Sequence, residues 1–221
     1  MTALLAPSIL SADFGQLQDA SELLNNSQAD WFHIDVMDGV FVPNISFGFP
    51  VMSMLQRHAR KPLDVHLMIT EPERYVARFC EAGASCITVH YEASVHLHRT
   101  LQQIREHGAK AGVAINPHTP VHALNAIIHE ADLVCLMSVN PGFAAQAFIT
   151  QTFAKLQQLR SLIQEQHSAT LIEVDGGVSL DNAHALYQHG ANVLVAGNAV
   201  FGANNPQKAI QQFKAPATQS A

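Results

Sequence analysis

Two phrases in this sequence carry polar side chains two residues apart inside otherwise apolar runs: His33-Ile34-Asp35 and Asp64-Val65-His66. In an extended strand that spacing puts both polar groups of a phrase on one face. A third run ends in Val174-Asp175-Gly176-Gly177, and a fourth closes on His90. If these strand ends converge, two imidazoles (His33 and His66) and two carboxylates (Asp35 and Asp175) form a mixed N/O site for one divalent ion. Zn, Fe(II), Mn and Co all suit such donors. The site must keep coordination positions open if it is to take a substrate. In a chain with 13 histidines, any one of them reads more simply as a core or surface residue. The set of four does not, because an uncompensated carboxylate at an apolar strand end is costly. Asp64, on the start side of His66, reads as a supporting or structural acid.

Three glycine-bearing segments suggest a different task. Asn140-Pro141-Gly142-Phe143, Gly176-Gly177 and Gly197-Asn198 each follow an apolar run late in the chain. Each glycine alone is a turn residue, but three such loops at successive strand ends could offer backbone N–H groups to a phosphate. None contains Lys or Arg, so backbone dipoles would carry most of that work. Met37, Met68 and Met137 sit at or just past strand ends that also bear a polar group. Methionine there usually fills a core, yet these sulfurs could line a reacting face.

The elements that must position these residues are visible as a repeat. Short apolar runs at 4–9, 31–36, 63–68, 86–90, 111–115, 133–139, 170–174 and 191–196 predict eight strands. Segments with helical periodicity lie between them, among them 14–24, 73–81, 95–107, 153–164 and 180–189. Gly83, Gly108 and Gly190 follow helical segments as left-handed stops. Most strands are apolar at consecutive positions, which indicates a parallel sheet buried on both faces. Eight βα units in 221 residues predict a single α/β domain, a (β/α)8 TIM barrel over residues 1–213 with a frayed tail at 214–221.

Bulk properties narrow the function. Hydrophobic residues make up 48% of the chain and charged residues 14%, enough for a large core. A net charge of -6 with no basic run gives no footprint for nucleic acid or an anionic membrane. Cys80, Cys86 and Cys135 are odd in number and lack metal-type spacing, so reduced core thiols are expected. With no basic leader and no apolar stretch of about 18 residues, a cytoplasmic location without membrane contact is expected.

Across residues 4–213 the motifs resemble the ribulose-phosphate 3-epimerase family. The phrases that carry this are Ala6-Pro7-Ser8-Ile9-Leu10-Ser11-Ala12-Asp13-Phe14, His33-Ile34-Asp35-Val36-Met37-Asp38-Gly39, Phe41-Val42-Pro43-Asn44, Asp64-Val65-His66-Leu67-Met68, Met137-Ser138-Val139-Asn140-Pro141-Gly142-Phe143 and Val174-Asp175-Gly176-Gly177-Val178. The resemblance implies a metal-dependent isomerase that interconverts D-ribulose 5-phosphate and D-xylulose 5-phosphate in the pentose phosphate pathway, assembled as a homo-oligomer. It implies His33, Asp35, His66 and Asp175 as metal ligands, with Asp35 and Asp175 also the acid/base pair. Ser8 and His66 match substrate contacts. Gly142, Phe143, Ala144, Ala145, Gly176, Gly177, Gly197 and Asn198 match the phosphate grip, while Met37, Met68 and Met137 would shield the intermediate. The family pattern has glycines where this chain has Ala144 and Ala145, and serine where it has Asn198. Alanine disfavours positive φ, so a shifted loop or an altered sugar preference is expected. A 3-epimerase of a ketohexose phosphate such as allulose 6-phosphate is therefore the alternative, and a catalytically silent barrel that binds a phosphometabolite is the alternative of another class.

Overall fold

Register places the two polar phrases side by side. In the computed structural model, which describes residues 3–215, β2 (Phe32–Met37) pairs in parallel with β3 (Leu63–Met68), so that His33 lies opposite Asp64 and Asp35 opposite His66. The sheet continues through β4 (Ala84–His90), β5 (Lys110–Ile115), β6 (Leu133–Met137), β7 (Leu171–Asp175) and β8 (Val193–Ala196) to β1 (Leu4–Pro7). Every neighbouring pair is parallel, in the order β1-β8-β7-β6-β5-β4-β3-β2. The barrel closes between β1 and β2 through the bridge of Ser8 to His33 and through the Asp30 and Trp31 N–H groups, which donate to the Leu5 carbonyl.

Each strand buries both faces, as its continuous apolar run predicts. Outward residues such as Ile34, Val65, Ile87, Val113 and Leu136 pack under the helices in the main core. Inward positions form a second, smaller cluster of Ala6, Cys86, Ala114, Cys135, Val193 and Val195. Gly112 shows why small residues are needed inside: a Cβ there would sit 2.2 Å from Thr88 Oγ1.

Helices α1 (Leu17–Asn25), α2 (Phe49–His58), α3 (Val76–Glu81), α4 (Leu97–Glu106), α5 (Thr152–Glu165), α6 (Leu180–His189), α7 (Asn198–Phe201) and α8 (Pro206–Lys214) connect or follow the strands. Only short 3-10 turns, Val121–Leu124 and Ile128–Glu130, bridge β5 and β6. The expected stops hold, with positive φ at Gly83, Gly108 and Gly190. Boundaries differ where chain direction changes early. The first run stops at Pro7, because Ser8 caps a turn over Ile9–Ser11 by accepting from the Leu10 N–H. The sixth stops at Met137, where Ser138 turns its hydroxyl onto the carbonyls of Asp175 and Gly176. Lys214 closes α8, and its ammonium donates to the Ala3 carbonyl at 2.5 Å and to Asp30 Oδ2 at 2.6 Å. Residues 216–221 lie outside the described residues.

Candidate active site and metal centre

The four predicted ligands come together at the strand ends. One donor atom from each of His33, Asp35, His66 and Asp175 lies within 4.8 Å of the others. His33 Nε2 is 3.2 Å from Asp35 Oδ1 and 3.9 Å from Asp175 Oδ2, and His66 Nδ1 is 3.4 Å from each of those oxygens. Both imidazoles are fully buried. Burial alone would push the His33 pKa down, but the charge and hydrogen bond of Asp35, then those of Asp64, carry it well above its ordinary value. Burial would raise Asp35, but His33 and then His66 hold it far below the usual carboxylate range. The site therefore demands positive charge between its carboxylates. His66 Nδ1 is buried without a hydrogen-bond partner and faces both of them. An unpartnered imidazole nitrogen beside two carboxylates fits a divalent cation.

Neighbouring groups fix these side chains. Asp64 Oδ2 lies 2.7 Å from His33 Nδ1 and accepts from it, so that Nε2 is the nitrogen facing the site. Ser8 Oγ donates to Asp35 Oδ2 at 2.5 Å, and Ser46 Oγ donates to the Asp35 carbonyl at 2.6 Å. Asp175 is followed by Gly176 at φ 110°, where a Cβ would meet Val139 Cγ2 at 2.4 Å, so only glycine lets the chain turn away there.

Above this cluster opens a cavity of about 370 Å³. Asp35 and Asp175 line it, as do Ser8 and the three methionines Met37, Met68 and Met137. Its far wall is built from Gly142, Phe143, Ala144, Ala145, Gly176, Gly177, Gly197 and Asn198, and among the described residues no Lys or Arg lines it. Asn44 Nδ2 donates to the Gly142 carbonyl at 2.8 Å, tying the loop after β6 to the loop after β2. Ala145 departs from expectation: it adopts φ 57° despite its Cβ. The alanine accepts a strained conformation in place of moving the loop out of the positive-φ region. His33 and His66 are fully buried, with His66 Nδ1 against the two carboxylates that line the cavity.

Sequence reading passed over three acidic or basic positions. His90 was noted as a strand end without a role; its Nε2 lies 2.9 Å from His66 Nε2, and burial pushes its pKa down to about 4. Glu92 lies 3.2 Å beyond it; burial would raise this carboxyl, but hydrogen bonds from His90, Thr119 and the Asn116 N–H bring it down to about 2. Glu173 points into the barrel beneath Asp175, fully buried, and burial followed by the Asp64 charge pushes its pKa well above the ordinary value. The signal was present: His90-Tyr91-Glu92 and Glu173-Val174-Asp175 repeat the spacing of two seen in His33-Ile34-Asp35.

Comparison with known proteins adds ancestry to this geometry. The model of the ribulose-phosphate 3 epimerase family matches residues 4–201. A ribulose-phosphate 3-epimerase of Bacillus subtilis is 48% identical over 211 residues, covering 95% of this chain and 97% of that protein. One from a Synechocystis species is 50% identical over 208 residues, covering 93% and 90%. The chloroplastic ribulose-5-phosphate-3-epimerase of Arabidopsis thaliana is 48% identical over 214 residues, covering 96% and 76%. Among solved structures, a 3-hexulose-6-phosphate synthase superposes with a TM-score of 0.68 at 21% identity, covering 97% of this chain and 98% of its own. A tryptophan synthase α-subunit variant from Pyrococcus furiosus gives 0.69 at 16%, covering 96% and 94%. At those identities the likeness is one of fold, the α/β barrel. Among the described residues no helix is long and apolar enough to cross a membrane.

Proposed function

Because the chain belongs to the ribulose-phosphate 3-epimerase family, we propose that it interconverts D-ribulose 5-phosphate and D-xylulose 5-phosphate by inverting C3, as an isomerase of the pentose phosphate pathway. The observation that carries this reading is the pair of carboxylates, Asp35 and Asp175, that meet at His66 Nδ1 and both line the cavity. Inverting a carbon beside a ketone requires that a proton leave one face and another arrive on the opposite face. Two facing carboxylates meet that need, one as base and the other as acid, and they exchange roles when the direction reverses. Ser8, donating to Asp35 Oδ2, orients the carboxylate with Oδ1 turned toward His33 and His66.

A divalent ion held by His33, Asp35, His66 and Asp175 would stabilise the negative charge that develops on the substrate oxygens. Its identity among Zn, Fe(II), Mn and Co is left open by the donor set. Met37, Met68 and Met137, each nearly fully buried, would cover the planar enediolate and keep water from reprotonating it. The glycine-rich wall from Gly142 to Ala145, with Gly176, Gly177, Gly197 and Asn198, would receive the phosphate through backbone N–H groups, since among the described residues no cationic side chain lines the cavity. A homo-oligomer and a cytoplasmic location complete the reading; the three unpaired cysteines suit a reducing compartment.

The ketohexose-phosphate alternative drew on the alanines at 144 and 145. Ala145 keeps a positive φ, which removes the reason to expect a displaced loop. The test is to supply metal-reconstituted protein with ribulose 5-phosphate and follow xylulose 5-phosphate, with allulose 6-phosphate in parallel. Pentulose turnover that stops on chelation is expected. Faster turnover of the hexulose, or no product with metal bound, would contradict the proposal.

A further inference from the structure

His66 differs from His33 in how its outer nitrogen is held. Its Nε2 meets not a carboxylate but Nε2 of His90, at 2.9 Å, with the ring centroids 5.0 Å apart and the planes 23° apart. Between two ring nitrogens one must donate and the other accept, so the proton's place on one ring dictates its place on the other. His90 Nδ1 is 3.2 Å from Glu92 Oε2. Glu92 also accepts from the Asn116 backbone N–H at 2.9 Å and from the Thr119 hydroxyl. A carboxylate gathering donors from three sides accepts from each, which puts the His90 proton on Nδ1. His90 Nε2 is then a lone pair, His66 Nε2 carries its proton, and His66 Nδ1 is left bare. That is the buried, unpartnered atom that faces Asp35 and Asp175.

We propose that Glu92 and His90 are positioning residues that act through His66, fixing the tautomer in which Nδ1 is free to ligate the ion. This rests on the metal-centre reading above and extends it outward by two residues. The relay has a firm base: Lys155 of α5 donates to the carbonyls of Asn116 and Pro117 at 2.8 and 3.3 Å, holding the loop that grips Glu92. His90 is fully buried, and the Phe41 ring lies 4.7 Å from it, so the link from His90 to His66 is shut off from solvent, while Glu92 at its outer end is partly exposed. The two imidazoles then present opposite nitrogens for a common reason. His33 offers Nε2 because Asp64 holds its Nδ1, and His66 offers Nδ1 because His90 holds its Nε2.

Glu92→Gln separates this role from a merely structural one. The new amide oxygen can still accept from Asn116 and Thr119, but its NH2 can donate to His90 Nδ1, which lets both rings invert and puts a proton on His66 Nδ1. Competition for Co(II) against a chromophoric chelator is expected to show affinity weakened about 10- to 100-fold in Glu92→Gln and His90→Phe. His90→Gln, whose amide can accept from His66 and donate to Glu92, is expected to recover most of that loss. Cooperative unfolding of the metal-free variants checks that each is folded. In the zinc-loaded wild type, nitrogen-15 spectra of the imidazoles should place the His66 proton on Nε2. A proton on Nδ1 overturns the inference whatever the variants do, as does Co(II) affinity in both Glu92→Gln and His90→Phe within about twofold of wild type. A wild type that binds no Co(II) overturns the metal reading itself and this inference with it.

Discussion

Ala145→Gly is expected to stabilise the protein and to leave its preference between the pentulose and the hexulose phosphate unchanged. Ala145 holds φ 57° and is solvent-exposed, so its methyl group makes no buried contact that the substitution would lose. The left-handed conformation costs a residue with a Cβ roughly 1–2 kcal/mol, and glycine escapes that cost. Against this, glycine widens the unfolded ensemble and gives back about 0.4–1 kcal/mol. The balance is a gain of up to about 1.5 kcal/mol, centred below 1, or a rise of a few degrees in Tm for a domain of this size. Ties that do not involve the methyl hold the loop in both proteins. Gln146 Nε2 donates to the carbonyls of Asn140 and Phe143 at 2.7 and 2.9 Å, and Asn44 grips Gly142. Urea unfolding gives the stability, and steady-state kinetics on ribulose 5-phosphate and allulose 6-phosphate give the specificity. A loss of about 1 kcal/mol or more would refute the strain argument. A change of sugar preference beyond about twofold would show that the alanine tunes the loop, against the claim that it merely tolerates it.

Asp64→Asn should weaken metal binding about 10- to 100-fold while sparing turnover at saturating metal, because the amide can still accept from His33 Nδ1 but no longer raises the basicity of the ring; chelator competition measures it. Stability in acid should depend on Glu92. Its folded pKa is lowered, so its contribution is full above the ordinary value of 4.5 and is lost as pH falls toward about 2. Glu92→Gln should flatten the fall in stability over that window, by about 1–2 kcal/mol once the partial solvent exposure of the side chain is allowed for. Acid titrations of metal-free wild type and variant, followed by circular dichroism, would show it.

Much of this arrangement was legible in the residues. Consecutive apolar positions in eight runs imply a buried parallel sheet, and pairs such as His33 and Asp35 mark the face that carries chemistry. The register that sets Asp35 opposite His66 was not legible, because it follows from how the barrel staggers and not from either strand alone. The same holds for the relay through His90: spacing could place His90 and Glu92 on one face, but only the pairing of β3 with β4 brings His90 against His66. Glu173 showed in the spacing but not in its role, since nothing in its apolar run tells that it is fully buried inside the barrel, where burial pushes its pKa well above the ordinary value. Ala145 misled in the other direction. Propensity argues against a positive φ for alanine, and the ties around Asn140, Gly142 and Phe143 override it.

The central claim is that one of Asp35 and Asp175 takes the C3 proton from one face of the substrate while the other delivers a proton to the opposite face. The direct measurement is solvent deuterium incorporation at C3 of ribulose 5-phosphate, run with wild type, Asp35→Asn and Asp175→Asn, and with bound metal quantified in each sample. Wild type should incorporate deuterium as it forms xylulose 5-phosphate, and each variant, corrected for metal content, should lose about 10²- to 10⁴-fold in turnover. Full epimerase turnover by metal-loaded Asp175→Asn would contradict the account.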